Sequence, residues 1–521
     1  MQNINIEITG EHLSIENDIY IYQLYGSIYN KGTIDKLLQC SSKIEVISVI
    51  SDFSGYFFLI VKNKSTDNIF ILNDIFGNFR VYIYETEKNI FISDNYASIF
   101  NKLELPAINK DEEMYYKRHR YTTGFNGIHK SIRKLPPASL LTLGIELKWE
   151  LYFKKEYFNR SLNESLNNYP KQNYNLIRNN IADNINRDKK TFLFFSGGVD
   201  STYLALLLQD IGVDFEAVFI KYLPSDKDNI VDENKVITVI KKLDIALKTI
   251  ELNIKNTFDV YQDIALQSHP IDKAFSISLY YACDILKREY GSCNIINGQS
   301  SDSIYCWGSS SKTIGAFLQR YLTLPFYIKS NSLIKKISSL SIKSLYKKRW
   351  EVPFNFEIPT NYHDYLIGVL DPQGYLPIKI LDVEYKEYND YLETIIKYID
   401  DELDNDLEYI IFYMKFLYLQ GTSNIPVIKA AEIYEHNIII PFLDARIVKL
   451  KIEEQNELKN LFFPRYVLEE WMESYFKFDL RLIDEAKSFN TKVKQDEIKE
   501  FDNLVKVIYN RWDFKFEKIF G

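Results

Sequence analysis

The stretch Thr191-Phe-Leu-Phe-Phe-Ser-Gly-Gly-Val-Asp-Ser201 decides how the chain is read. Phe192 to Phe195 is an apolar run of the length expected for a strand buried on both faces, and it ends in two glycines flanked by small hydroxyl residues. A helical pattern begins near Ser201 and continues through Leu208. Each position in the turn has a chemical use. Glycines let backbone amides approach an anion, a helix N-terminus adds aligned N–H groups and the positive end of its dipole, and Ser196 and Ser201 add hydroxyl donors. Asp200 would repel an anion unless a divalent cation stood between them, so Mg2+ is implied. The plainer alternative is an ordinary strand-to-helix turn with Ser and Asp near its N-cap. The turn is neither of the familiar glycine-rich loops, G-x-x-x-x-G-K-[ST] and G-x-G-x-x-G.

Around this stretch the rhythm of the chain changes. Before it lie short apolar runs broken by turn residues: Ile19 to Leu24, Ile44 to Ile50, Gly55 to Val61, Ile69 to Leu72, Val81 to Tyr84, Ile90 to Ile92 and Ser139 to Leu143. These predict a strand-rich part. An Asn-rich polar stretch, Asn159 to Asn173, marks a boundary. Beyond it a helical pattern (Tyr174 to Arg187), the strand at Phe192, its helix, and a second strand (Phe215 to Lys221) predict a parallel sheet with helices on both faces. After Trp307 the segments Ser310 to Leu324, Leu407 to Leu417, Tyr466 to Tyr475 and Gln495 to Val507 read as helices with little strand signal, predicting a helical lobe.

Composition narrows the function. At 521 residues the chain exceeds what one core usually serves, so two or three domains are expected. A net charge of −8 gives no global field for nucleic acid, which is excluded as a first reading. Cys40, Cys283, Cys293 and Cys306 share no CxxC spacing and no clustered histidines, so neither a zinc site nor a disulfide framework is supported. Reduced thiols in a cytoplasmic protein fit this usage. No apolar stretch approaches the ~20 residues needed for a membrane span. The excess of aromatics, 39 Tyr and 34 Phe, reads as genome bias rather than a binding surface.

The loop from Ser196 to Ser201 resembles the pyrophosphate loop of the ATP pyrophosphatases, shared by asparagine synthetase, argininosuccinate synthetase, GMP synthetase and tRNA-modifying enzymes. That resemblance implies ATP split to AMP and pyrophosphate through an adenylated substrate. Asn294-Ile-Ile-Asn-Gly-Gln-Ser-Ser-Asp-Ser303 is similar to the asparagine synthetase pattern of a strand followed by S-G-E-G-x-D-E, with Asp302 on its second magnesium ligand. Gln299 stands in place of the Glu and Ser303 in place of the second acid, so proton removal from the amine must fall to another group. Ile438-Ile-Ile-Pro-Phe-Leu-Asp444 resembles R-x-P-F-L-D, and Glu485-Ala-Lys-Ser-Phe489 resembles R-x-K-x-x-F, whose lysine neutralises charge at the reacting phosphate.

The resemblance implies nucleotide contacts at Phe195, Ser196, Gly197, Gly198, Val199, Asp200, Ser201, Ile220, Asn297, Gly298 and Gln299. It implies two Mg2+ held by Asp200 and Asp302, and catalytic roles for Asp200, Asp302 and Lys487.

Asp52 to Phe58, Asn73 to Tyr84 and Ile90 to Asp94 resemble segments of the class II glutaminase domain. Glutamine hydrolysis there needs an N-terminal cysteine as nucleophile, and this sequence opens Met1-Gln2-Asn3, so glutamine is not expected as nitrogen donor. The expectation is a degenerate glutaminase-like α+β domain with a β-sandwich (1–158), then an α/β parallel-sheet, adenine nucleotide alpha-hydrolase-like synthetase domain (174–521) ending in a helical lobe.

Branches of the family it resembles that lack the cysteine include the lasso peptide macrolactam cyclases and the beta-lactam synthetases. Of these the lasso cyclase is favoured. It implies a carboxylate substrate on a ribosomal peptide, with a leader-peptide protease or leader-binding protein as partner. An ammonia-dependent asparagine synthetase or sugar-acid amidotransferase, and an ATP-binding pseudoenzyme, stay open as alternatives.

Overall fold

A computed structural model describes residues 3–103, 107–109, 127, 129–135, 137–143, 148–152, 169–223, 227–253, 275–301, 324–329, 331–338, 356–357, 379–380, 424–444, 446–447 and 466–484. Gln2, Asp302, Ser303, Cys306, Lys487 and the helical segments expected at Leu407 to Leu417 and Gln495 to Val507 lie outside them.

The first part forms two sheets. One has the order β1 (Asn3–Glu7), β7 (Asn89–Ser93), β6 (Tyr82–Glu85), β8 (Ile132–Lys134). The other runs β10 (Lys148–Leu151), β9 (Ser139–Leu143), β5 (Ile69–Asn73), β4 (Gly55–Asn63), β3 (Tyr20–Ile28), β2 (His12–Glu16), antiparallel throughout. Ile83, Ile90 and Ile92 of the first sheet join the same buried cluster as Phe57, Leu59 and Leu72 of the second. Among the described residues many tyrosines are core: Tyr22, Tyr29, Tyr82, Tyr96, Tyr152 and Tyr203 are among the largest fully buried side chains. Tyr152 shows how such a phenol is accommodated, its hydroxyl donating to the Asn73 carbonyl at 2.6 Å.

One expected strand is a helix. Ile44 to Ile50 lies in α1 (Lys43–Ile50), which buries Val46 and Ile50 one turn apart. Ser42 caps it by accepting the Glu45 N–H at 3.3 Å, and the Glu45 carboxylate accepts the Ser41 N–H at 2.6 Å. A cap closed in this way outweighs the β preference of its isoleucines and valines. This part also contains a 3-10 helix (Lys31–Gln39) and α2 (Tyr96–Phe100).

The second part begins with α3 (Tyr169–Ala182), which starts and ends about a turn earlier than the pattern predicts. Its sheet is parallel, in the order β13 (Leu247–Asn253), β12 (Glu216–Leu223), β11 (Thr191–Phe194), β14 (Asn294–Ile296), β17 (Asn437–Ile439). The helices between are α4 (Val199–Asp210), α5 (Lys227–Leu243), α6 (Phe275–Tyr290) and α7 (Asn424–Ile433); α8 (Tyr466–Ser474) packs on α3 and α4. The chain steps from β11 outward to β13, then returns to place β14 on the other side of β11, so the winding direction reverses between β11 and β14. Open parallel sheets bind ligands at the C-terminal strand ends beside such a reversal. Beyond Trp307 the described strand is slight: β17, which completes the sheet, and the short pair β15 (Phe356–Glu357) and β16 (Lys379–Ile380). Among the described residues no helix is long and apolar enough to cross a membrane.

The two parts share one buried apolar cluster, which reaches from Tyr20 to Ile483. Polar contacts stitch them: Tyr29 Oη accepts the Ile440 N–H at 3.0 Å, Asn184 Nδ2 donates to the Tyr29 carbonyl at 2.9 Å, and the Gly55 N–H donates to the Leu443 carbonyl at 3.0 Å.

Candidate active site

The site is built on the reversal. Phe195 extends the ladder by one residue, its N–H donating to the Val218 carbonyl at 2.8 Å, and Ile220 lies two residues further along β12, partly buried. The chain then turns. Gly197 takes φ +72°, and a Cβ there would meet Val236 Cγ2 at 3.3 Å, so both conformation and space favour glycine. Gly198 is the N-cap of α4 and makes no side-chain cap, which leaves the first-turn N–H groups of Val199, Asp200 and Ser201 directed out of the helix end.

The two hydroxyls serve the loop itself. Ser201 Oγ accepts the Ser196 N–H at 3.3 Å and donates to the Gly198 carbonyl at 3.2 Å, while Ser196 Oγ accepts the Gly198 N–H at 3.4 Å. Ser201 is buried and Ser196 exposed, so of the pair Ser196 faces solvent at the mouth of the loop.

The second segment stands directly beside the first because β14 pairs with β11. Asn297 is buried; its N–H donates to the Ile439 carbonyl at 3.1 Å and its Oδ1 accepts the Gln299 N–H at 2.8 Å. A Cβ on Gly298 would lie 3.3 Å from Asp200 Cβ and 3.6 Å from Leu204 Cδ1, so glycine permits the two segments to touch. Ser301 Oγ donates to Asp200 Oδ1 at 2.6 Å, which fixes one carboxylate oxygen. Residues 103 apart in register, Thr191 and Asn294, thus deliver Asp200 and Gly298 into contact. Asp302 follows Ser301 in sequence but lies outside the described residues, as does Lys487. Among the described residues no cluster of three or more His, Cys, Asp or Glu forms a metal cage.

The third segment has a different job. Asp444 is fully buried and accepts hydrogen bonds from Ser54 Oγ at 2.6 Å, Asn180 Nδ2 at 3.0 Å and Arg446 Nη2 at 2.7 Å. Burial alone would raise its pKa, but the Arg446 charge and these donors hold the carboxyl below the usual range. Asp444 therefore joins the N-terminal sheets, α3 and the end of β17. Residues the sequence reading left aside also matter: Ser300, Ser301, Asn424 and Asn78. The signal for Ser300 was present, since it stands where the S-G-E-G-x-D-E pattern has its second glycine.

Comparison with known proteins locates a family likeness on part of this sheet. The family model of NAD synthase matches residues 171–276, which span α3 to the start of α6 and include the Ser196 to Ser201 loop. The match supports the ATP pyrophosphatase superfamily expected from that loop, but gives NAD synthase where the asparagine synthetase branch was expected. No curated protein matches. Among the solved structures that align at low similarity are three synthetases. They are NMN synthetase from Francisella tularensis, at 12% identity over 50% of this chain and 98% of that one with TM-score 0.22; the NH3-dependent NAD synthetase from Campylobacter jejuni, at 16% over 36% and 89% with TM-score 0.20; and the glutamine-dependent NAD+ synthetase from Acinetobacter baumannii, at 10% over 68% and 78% with TM-score 0.20. At these scores the alignments carry no further argument.

Proposed function

We propose that the chain is an ATP-dependent, amide-forming ligase that adenylates a carboxylate at the crevice between β11 and β14 and releases AMP and pyrophosphate. The observation that carries this reading is the contact of the two segments at the reversal of winding, Gly298 against Asp200 and Ser301 Oγ on its carboxylate, beside an uncapped helix N-terminus. Phosphates would lie over the turn from Phe195 to Ser201, with Ile220, Asn297, Gly298 and Gln299 lining the crevice. Asp200 fits Mg2+ of the kind held by one or two carboxylates together with substrate phosphates, Asp302 being the second. When bound, the ion neutralises charge on the departing pyrophosphate. This chain's residues would orient the triphosphate by backbone N–H groups, so that the carboxylate oxygen attacks the alpha-phosphorus as pyrophosphate leaves and the amine then attacks the acyl carbon as AMP leaves. Lys487 is assigned to charge developing on the phosphate. Residues 1–158 and 174–521 are read as a glutaminase-derived part and the synthetase part, the latter closing with a helical lobe.

Two readings of the amine follow. Gln299 in place of the glutamate of the asparagine synthetase pattern, together with a glutaminase-like part read as degenerate, favours an amine carried by the substrate, as in macrolactam closure on a ribosomal peptide assisted by a leader-binding protein or protease. The NAD synthase match on residues 171–276 favours free ammonia acting on an adenylated small acid. Exchange of labelled pyrophosphate into ATP separates them. Exchange stimulated by a precursor peptide, with loss of one water from it, supports the first. Exchange stimulated by small carboxylic acids, with product only when ammonium is added, supports the second. No exchange with either class refutes adenylation.

A further inference from the structure

We infer that Ser300 is a positioning residue for the nucleotide site, and that the N-terminal part holds it in place through Asn424 and Asn78; the inference rests on the ATP reading above. Ser300 is buried and takes φ +76°, a conformation disfavoured for an L-residue by roughly five- to thirtyfold relative to glycine. Its hydroxyl donates to Asn424 Oδ1 at 2.7 Å. Asn424, the first residue of α7 and itself buried, donates through Nδ2 to Asn78 Oδ1 at 3.1 Å.

Asn78 belongs to the N-terminal part, in a turn that the buried carboxylate of Asp74 organises by accepting the N–H groups of Phe76 at 3.0 Å, Asn78 at 3.1 Å and Phe79 at 2.8 Å. On its other side Ser300 adjoins Ser301, whose hydroxyl sits on Asp200. An unbroken polar path therefore runs from the Asp74 turn through Asn78, Asn424, Ser300 and Ser301 to the carboxylate proposed to hold the metal. Helix α7 is tied a second time, since buried Lys429 lies 3.4 Å from Asp94 Oδ2 and 5.6 Å from the centre of the Phe79 ring. The three side-chain links Asn78–Asn424, Asn424–Ser300 and Ser301–Asp200 each join residues more than 100 positions apart.

The physical content is that a glycine at this place would need no anchor, whereas serine needs one. The hydroxyl bond offsets the backbone cost, and Asn78 orients the amide that accepts it. The N-terminal part thus acts on the site without touching substrate.

The test uses the full chain, equilibrium dialysis of a non-hydrolysable ATP analogue with Mg2+, and thermal unfolding of each variant. Ser300→Ala and Asn78→Ala should each weaken analogue binding by about tenfold, the size of the backbone term they unmask. Ser300→Gly should bind within about twofold of wild type, because relief of the conformation replaces the lost bond. The double variant Ser300→Gly/Asn78→Ala should match Ser300→Gly alone, an outcome a merely structural role for Asn78 would not give. Equal losses in Ser300→Ala and Ser300→Gly overturn the inference even if Asn78→Ala does not fold. Unchanged binding in Asn78→Ala, with wild type binding normally, overturns it alone. No binding by wild type overturns the ATP reading and the inference with it.

Discussion

Replacing Asp444 by alanine should loosen the seam between the two parts, and the geometry sets the size of the effect. The carboxylate accepts from Ser54 Oγ at 2.6 Å, Asn180 Nδ2 at 3.0 Å, and the Arg446 backbone N–H at 2.8 Å, Nε at 3.0 Å and Nη2 at 2.7 Å. Ser54 and Asn180 are buried, so each loses a partner that water does not readily replace, at ~1–3 kcal/mol apiece. Two circumstances reduce the sum. Asn180 Nδ2 still reaches the Pro441 carbonyl at 2.9 Å, and the Arg446 side chain, 35% exposed, rehydrates in part. A net loss of about 3 kcal/mol results, at the low end for breaking a buried ion pair.

In a urea titration followed by tryptophan fluorescence, a loss of that size at a slope of about 3 kcal/mol/M moves the midpoint down by about 1 M. The shared apolar cluster makes the two parts lose structure together rather than in two separated steps. The pH dependence has a definite sign. Because the folded carboxyl titrates below its unfolded value of about 3.9, its contribution is complete at neutral pH and is lost as pH falls through the folded value. The variant should therefore lack that part of the acid limb. A midpoint shift below about 0.3 M, or an acid limb unchanged in the variant, would refute the assignment of Asp444 to the seam.

Two further outcomes are expected. Burial, opposed by the N–H groups of Phe79, Asn78 and Phe76, pushes Asp74 up to about 6, so the folded state keeps a proton that the unfolded chain releases near pH 4; stability should fall as pH rises from about 4 to about 6, and Asp74→Asn should remove that slope in urea titrations across the range. A slope retained in the variant assigns it to other groups. Asp200→Ala and Asp302→Ala should each abolish pyrophosphate release while leaving the thermal transition intact; retained release in either variant removes that residue from the proposed metal pair.

The sequence made parts of this molecule legible and hid others for physical reasons. The run at Phe192, the glycines and the helix after Ser201 are contiguous, and each obeys a local rule, so β11, its turn and α4 (Val199–Asp210) were readable directly. Ile44 to Ile50 reads as a strand because its isoleucines and valines favour one, whereas Glu45 and Ser48, three residues apart, and the Ser42-Lys-Ile-Glu45 cap signal mark the helix. β17 has three residues, too few for any periodicity, and becomes a strand only because β14 offers it an edge. The roles of Asp444 and Ser300 depend on partners 390 and 124 residues away, which no local pattern carries. Asp302 and Lys487 are assigned by motif likeness, Asp302 directly following Ser301 in the sequence.

The central claim is that this chain splits ATP between its alpha and beta phosphates. Incubating it with alpha-labelled ATP, Mg2+ and candidate carboxylates, and separating the labelled nucleotides, tests that most directly. The account predicts labelled AMP, with pyrophosphate in equal amount. Labelled ADP with inorganic phosphate would contradict it.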